Sequence, residues 1–222
     1  MEKVRIAVFN MLQSLLCCAN SELPSNSRWL DLYAGTGSVG LEAMSRGCGV
    51  SHFVEMDPWT VREVLMKNIE KTGMKENTVV HTMRAENFLL NAKVMSGQGD
   101  GSTSREQLLP FQSIGNADSS STVIKERVTV AGEGAGLPFL RTAYAGGAFD
   151  FVSICPPYKL VDYPSLLDSI ATSPLIMPST YVIVEHAKED TNAIPEELGP
   201  LTKLRERKYG RTYIVIYGPR NT

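Results

Sequence analysis

Two short runs of this chain carry residues whose types and spacing could do chemistry. The first is Asp31-Leu-Tyr33-Ala-Gly35-Thr36-Gly37-Ser-Val-Gly40, which follows the apolar pair Trp29-Leu30 and opens an amphipathic stretch. It reads as a strand end, a glycine turn and the first turn of a helix. The second is Cys155-Pro156-Pro157-Tyr158, which closes a later apolar run.

The glycine spacing, Gly35-x-Gly37-x-x-Gly40, fits more than one nucleotide cofactor, because each needs a tight turn and a backbone that can be approached without a Cβ in the way. Asp31 separates the candidates. A carboxylate at the strand end repels a pyrophosphate, whereas S-adenosylmethionine presents an ammonium and a sulfonium, which a carboxylate attracts. The methyl donor is therefore expected ahead of NAD, held by Asp31, Tyr33, Gly35, Thr36, Gly37 and Gly40. Glu55 closes the second expected strand, where a doubly wound fold sets an acid against ribose hydroxyls. A capping role for Glu55 is the alternative, but Asp57 and Pro58 already supply an N-cap and a first helical position. Met56 would then face the adenine. Arg84-Ala85-Glu86 ends the third expected strand and either reads the adenine edge or is an ordinary helix start.

In Cys155-Pro156-Pro157-Tyr158 two consecutive prolines fix φ and remove N–H donors, so the backbone carbonyls are free to accept from an incoming amino group. A tyrosine ring beside them offers a stacking face for a flat base. Such a pairing suits a planar exocyclic amine, whose lone pair the acceptors turn toward a sulfonium methyl. A rigid turn with a core tyrosine is the other reading.

A parallel sheet is what brings two such distant runs together. Hydrophobic periodicity predicts an amphipathic helix over 3–18, strands at 28–33, 50–55, 78–83, 149–154 and 181–185, and helices at 38–47, 58–72, 85–93 and 163–172. The segments 203–207 and 212–217 flank Lys208-Tyr-Gly-Arg211 as a hairpin. The expectation is an α/β, Rossmann-like class I methyltransferase fold: a mixed seven-stranded sheet, helices on both faces, and an antiparallel C-terminal hairpin. Residues 94–147 break the pattern with Ser/Gly-rich runs that bury too little apolar surface to offset ordering entropy. They read as a flexible insertion within one domain spanning 1–222, with Val123–Val130 as a surface strand inside it.

Composition excludes several classes. At 222 residues, 43% of them hydrophobic, the chain supports one well-buried α/β domain. A net charge of −2 and a pI near 6.0 argue against coating nucleic acid by bulk electrostatics, so any RNA contact must be regional. The candidates are Arg5, Arg207, Lys208 and Arg211, from a basic group that also includes Lys3, Arg205 and Arg220. Four cysteines without paired spacing suggest neither a zinc site nor a disulfide framework, and no metal is expected. With no membrane span and no signal peptide, the expectation is a soluble monomer in the cytoplasm or in an organelle that houses bacterial-type ribosomes.

Taken together, these runs resemble the RsmD-type methyltransferases. The resemblance rests on Val4-Arg5 with Phe9-Asn10, Asp31 through Arg46 including Gly40-Leu-Glu-Ala-Met-Ser-Arg46, Phe53-Val-Glu-Met-Asp57, Pro156-Pro157-Tyr158, and Tyr209-Gly-Arg-Thr-Tyr213. It implies transfer of a methyl group from S-adenosylmethionine to the exocyclic N2 of a guanine in small-subunit ribosomal RNA, either naked or in a partly assembled subunit. Cys155, Pro156, Pro157 and Tyr158 would form the catalytic tetrad. Two departures stand out. The tetrad of the family begins with Asp or Asn, an acceptor for the target amine, where this chain has the weak acceptor Cys155. The family also carries a basic segment ahead of the first helix, whereas this sequence starts at Met1 just before Val4, so the expectation is either a truncated chain or RNA held by other residues. Rival readings are an N-methyltransferase acting on DNA adenine or a protein amide, a Rossmann oxidoreductase, and a catalytically silent ribosome-assembly factor.

Overall fold

A computed structural model describes residues 2–16, 22–97, 147–157 and 161–220. Tyr158, Cys17, Cys18 and nearly all of the expected insertion, with its strand at 123–130, lie outside the described residues.

Eight strands form one sheet: β1 (Arg28–Leu32), β2 (Val50–Glu55), β3 (Thr78–Thr82), β4 (Phe151–Ile154), β5 (Tyr181–Ala187), β6 (Glu197–Leu198), β7 (Leu201–Tyr209) and β8 (Thr212–Pro219). Their order is β3-β2-β1-β4-β5-β8-β7-β6. The first five are parallel, and β8, β7 and β6 add antiparallel. The seven expected strands are all present. The eighth, β6, has two residues, too few to carry a periodic signal.

Helices α1 (Glu2–Leu15), α2 (Ser38–Ser45), α3 (Pro58–Thr60), α4 (Met66–Thr72), α5 (Ala85–Met95) and α6 (Tyr163–Ala171) cover the sheet, with a π turn, Val61–Leu65, joining α3 to α4. Alternation along β1 decides what faces where. Leu30 and Leu32 join a core with Phe88 of α5 and Leu166 of α6. Trp29 points the other way, among Phe9 of α1, Ala43 of α2, Phe151 and Ile183, stacked between Phe9 and Phe151 with both centroids at 5.3 Å. Burying each of those phenylalanines contributes about 1.5–3 kcal/mol. Asp31 shares the face of Trp29, so the same alternation aims its carboxylate under α2. The strand order reverses between β1 and β4, the switch point where open α/β sheets leave a crevice at their carboxyl ends.

Candidate active site

A cavity of about 860 Å³ opens at that crevice. Of the residues expected to bind cofactor, Tyr33, Gly35, Glu55, Met56 and Glu86 line it, and so do Cys155, Pro156 and Pro157 of the tetrad and Arg211 of the basic group. The non-local register explains the convergence: Leu32 pairs with Val54 on one side and Ile154 on the other, so the three strand ends stop together.

The glycine turn is wired from below. Gly37 is the N-cap of α2 and has no side chain to cap with, leaving first-turn N–H groups without intrahelical partners. Asp31 supplies the missing acceptor: it is 1% exposed, its Oδ2 accepts from Gly40 N–H at 3.1 Å and its Oδ1 accepts from the Ser153 hydroxyl at 2.7 Å. Ser153 in turn accepts from Trp29 Nε1–H at 2.8 Å. Burial raises the Asp31 carboxyl to about 7, against the pull of the Ser153 and Gly40 hydrogen bonds. Asp31 therefore does not line the cavity where the methionine ammonium was expected to meet it. Its strand parity sends it beneath the helix, where it shapes the loop that does.

Thr36, Gly37, Gly40 and Ala85 also lie off the cavity wall and serve the loop indirectly. Gly37 has φ +75°, and a Cβ there would collide with Leu65 Cδ1. At Gly40 a Cβ would lie 2.5 Å from Phe53 Cε1, so this glycine lets α2 close onto β2. The Thr36 carbonyl accepts from Asn68 Nδ2 at 2.9 Å, and Ala85 is core.

Glu55 occupies the second strand end with both oxygens anchored: Oε2 accepts from Gly35 N–H and Oε1 from Asp57 N–H, each at 2.9 Å. Carboxylate oxygens carry further lone pairs, which remain available to two vicinal hydroxyls. Asp57 caps the following helix through Trp59 N–H and Thr60 N–H, with Pro58 at its first position. Tyr33 holds φ +61°, a left-handed conformation that costs a non-glycine residue about 1–3 kcal/mol and gathers at functional sites. Its hydroxyl donates to Glu86 Oε1 at 2.7 Å, tying the turn to α5. Burial and that carboxylate push the Tyr33 hydroxyl well up, so it remains a donor.

The wall formed by the ends of β4 and β5 is built differently. Cys155 sits at the end of β4, and its thiol is pushed well up, first by burial and then by the Asp31 and Glu185 carboxylates, one of which, Glu185, also hydrogen-bonds it. Glu185, 9% exposed, ends the apolar run Val182-Ile-Val184 and lines the cavity, as do Arg84, Val161 and Thr212. Arg84 belongs to the expected Arg84-Ala85-Glu86 run, whereas Glu185, Val161 and Thr212 were not among the expected site residues. An acid closing the fifth strand was the available signal for Glu185.

The basic group divides. Arg211 is at the cavity. Arg5 is half-buried, pairs with Glu42 at 3.3 Å and lines a small apolar pocket beneath α1 with Phe9, Cys155 and Glu185, so part of its charge is engaged within the protein. Lys208 Nζ lies 5.6 Å from the Tyr213 ring centroid. Arg207 joins Arg205, Tyr209 and Asn10 in an open groove between α1 and β7. Among the described residues no group of three or more His, Cys, Asp or Glu side chains could hold a metal, and no helix is long and apolar enough to cross a membrane.

The fold, with five parallel strands, a terminal antiparallel hairpin and a cavity at the switch point, is that of the class I methyltransferases. Within that class, the family described as "Conserved hypothetical protein 95" matches residues 1–100 and 112–218, and the chain belongs to it, in agreement with the RsmD-type motifs. The chain is 25% identical to the Bacillus subtilis protein named "Putative rRNA methyltransferase YlbH", over 99% of this chain and 86% of that one. It is 22% identical to the "Uncharacterized methylase RP545" of Rickettsia prowazekii, over 96% and 85% of the two chains. A solved conserved hypothetical protein from Streptococcus pyogenes superposes with a TM-score of 0.62 at 21% identity, covering 97% of this chain and 95% of that one.

Proposed function

We propose that the chain is an S-adenosylmethionine-dependent methyltransferase whose target is the exocyclic N2 of a guanine in small-subunit ribosomal RNA. The observation that carries this reading is the single cavity wall shared by Glu55, Gly35 and Met56 on one side and Cys155, Pro156 and Pro157 on the other. The donor set suits a cationic cofactor. Carboxylates of Glu55 and Glu86 face the cavity, Asp31 sits under the loop, and the glycine turn offers no lysine or arginine to a pyrophosphate.

When bound, the cofactor supplies a methyl group on a sulfonium. Glu55 accepts from the ribose hydroxyls, Met56 packs on the adenine, and the Tyr33–Glu86 hydrogen bond holds the turn that contacts the donor. Pro156 and Pro157 leave carbonyls to accept from the target amine, and Tyr158 is assigned the stacking face on its place in the tetrad. Alignment of nitrogen, methyl carbon and sulfur then does most of the work. Arg207 and Arg205, in the groove beside α1, track phosphates of the RNA, with Arg211 at the cavity mouth. The name borne by the Bacillus subtilis relative supports an rRNA substrate.

Unmodified small-subunit RNA and small subunits are incubated with labelled donor, and the product is digested and mapped by primer extension. The expected result is one labelled N2-methylguanine. Label in adenine, in DNA or in protein overturns the guanine reading, and thermal stabilisation by NAD but not by S-adenosylhomocysteine overturns the cofactor.

A further inference from the structure

We propose that Glu185 is a catalytic residue of this site, whose carboxylate accepts from the target amine in place of the acid or amide that Cys155 replaces; this rests on the methyltransferase reading above. Register brings the two together. Ile154 pairs with Val184 across the parallel strands β4 and β5, so Cys155 and Glu185 are the next residues out on neighbouring strand ends. Strand alternation then puts them on one face: Phe151 and Ile183, two residues or a multiple of two before them, share the core beneath α1. Both side chains line the large cavity and also the small pocket of about 50 Å³ under it.

Their chemistry is complementary. The Cys155 thiol, raised by burial and by two carboxylates, keeps its proton and can donate to Glu185, whereas a thiol is a poor acceptor for an amine. A carboxylate is the stronger acceptor, since charge-assisted hydrogen bonds are roughly twice as strong as neutral ones. The backbone of Glu185 is held in place by Tyr163, whose hydroxyl donates to the Glu185 carbonyl at 2.8 Å. His186, the next residue, packs against Tyr163 and Tyr213 at 6.4 and 5.4 Å between ring centroids.

With one N–H held by a carbonyl of the proline run and the other by Glu185, the nitrogen lone pair is turned out of conjugation toward the donor. The N–C bond forms as the C–S bond breaks with its electron pair returning to sulfur, and the surplus proton passes from nitrogen to the Glu185 carboxylate and on to solvent. The acceptor has in effect moved from β4 to β5 while staying in the same cavity.

Three readouts on the full chain test this. Glu185→Gln is expected to keep its S-adenosylhomocysteine dissociation constant within twofold by calorimetry, to lower kcat at least 100-fold, and to change KM for RNA by less than fivefold. The same variant is expected to speed alkylation of Cys155 severalfold at pH 8, read by mass spectrometry of its peptide, because a charge that holds the thiol up is gone. Adding Cys155→Asp to Glu185→Gln is expected to restore at least tenfold of the lost kcat. Full turnover in Glu185→Gln overturns the proposal, and so does parallel loss of cofactor binding and turnover, which marks a structural role. Wild-type protein that methylates adenine instead of guanine, with the same dependence on Glu185, overturns the substrate reading and keeps this one.

Discussion

The two walls of the cavity are built on different principles. On the side of the glycine turn, polar groups are bonded to one another, Gly35 N–H to Glu55 and Tyr33 to Glu86 on the wall itself, and Gly40 N–H to Asp31 just behind it. These bonds hold the loop in one shape, which lowers the cost of ordering it when a ligand binds there. On the target side the wall is two prolines without N–H donors, a protonated thiol and a carboxylate on the neighbouring strand. That wall is rigid in its backbone but offers acceptors to the ligand. Prewiring suits a cofactor that never changes, and a wall of acceptors suits the proposed amine, which must be gripped and turned. Behind the two walls Asp31 ties α2 to β4, accepting from Gly40 N–H of the one and from the Ser153 hydroxyl of the other.

The largest effect should come from breaking the prewired wall at its hinge. Gly37→Ala places a Cβ on Leu65 and asks a side-chain residue to hold φ +75°, so overpacking and backbone strain together should cost about 2–4 kcal/mol of stability. Denaturant midpoints test it, and an unchanged midpoint would show that the π turn carrying Leu65 yields freely. Next comes Glu55→Ala, which removes an acceptor for the ribose and frees Gly35 N–H. Affinity for S-adenosylhomocysteine should fall by about 1.5–3 kcal/mol, the range for a hydrogen bond to a charged group. Retained affinity in calorimetry would mean that Glu55 serves only as the anchor of the loop.

The same contrast sets what was legible in the sequence. The cofactor wall is local: one strand, one turn and one helix carry Tyr33 to Gly40, and a second strand carries Glu55, so spacing alone placed the glycines and the acid. Even there the direction of Asp31 was hidden, because strand parity matters only once α2 and Ser153 are known to sit on that face. The target wall depends on which strands are neighbours. Glu185 lies 30 residues after Cys155 in the chain, and only the β4–β5 register makes them adjacent. The pairing of Arg5 was hidden for a similar reason. A basic residue at the start of an amphipathic helix looks like surface charge until Glu42 of α2 is seen beside it. The terminal hairpin was readable from Gly210 in its turn, whereas the two-residue β6 was not.

A smaller effect isolates the tie behind the walls. Asp31, its carboxyl raised to about 7 by burial, holds a proton in the folded state that the unfolded chain releases near its ordinary 3.8. Its contribution to stability is thus full below about pH 4 and is lost as pH rises toward 7. The buried pair His52 and His81, 3.2 Å apart, runs the opposite way. Burial lowers both, His81 to about 4, so their contribution is full above about pH 6.5 and is lost on acidification. In the wild type the two trends oppose each other between about pH 4 and 6.5. Asp31→Asn leaves the histidines alone, so its Tm should fall more steeply on acidification than that of the wild type. Parallel Tm curves for the two proteins would show that Asp31 is ionised throughout this range.

The smallest effect tests the far edge of the target wall. Arg207 shares the α1–β7 groove with Arg205 and Asn10, and among the described residues its guanidinium donates to the Glu206 carbonyl next to it alone, which leaves most of its donors for a ligand. A phosphate contact made there is electrostatic and independent of sequence. Arg207→Ala should then weaken binding to any small-subunit RNA fragment by a similar factor and lower the salt slope of log K by about 1, the signature of one lost phosphate contact. Arg5 lines the pocket under α1 and has its charge already balanced by Glu42. Arg5→Gln should leave the slope unchanged even if it alters turnover. Equal slopes for Arg207→Ala and wild type would move the RNA track off this groove, and a lowered slope for Arg5→Gln would move it onto the cavity side of α1.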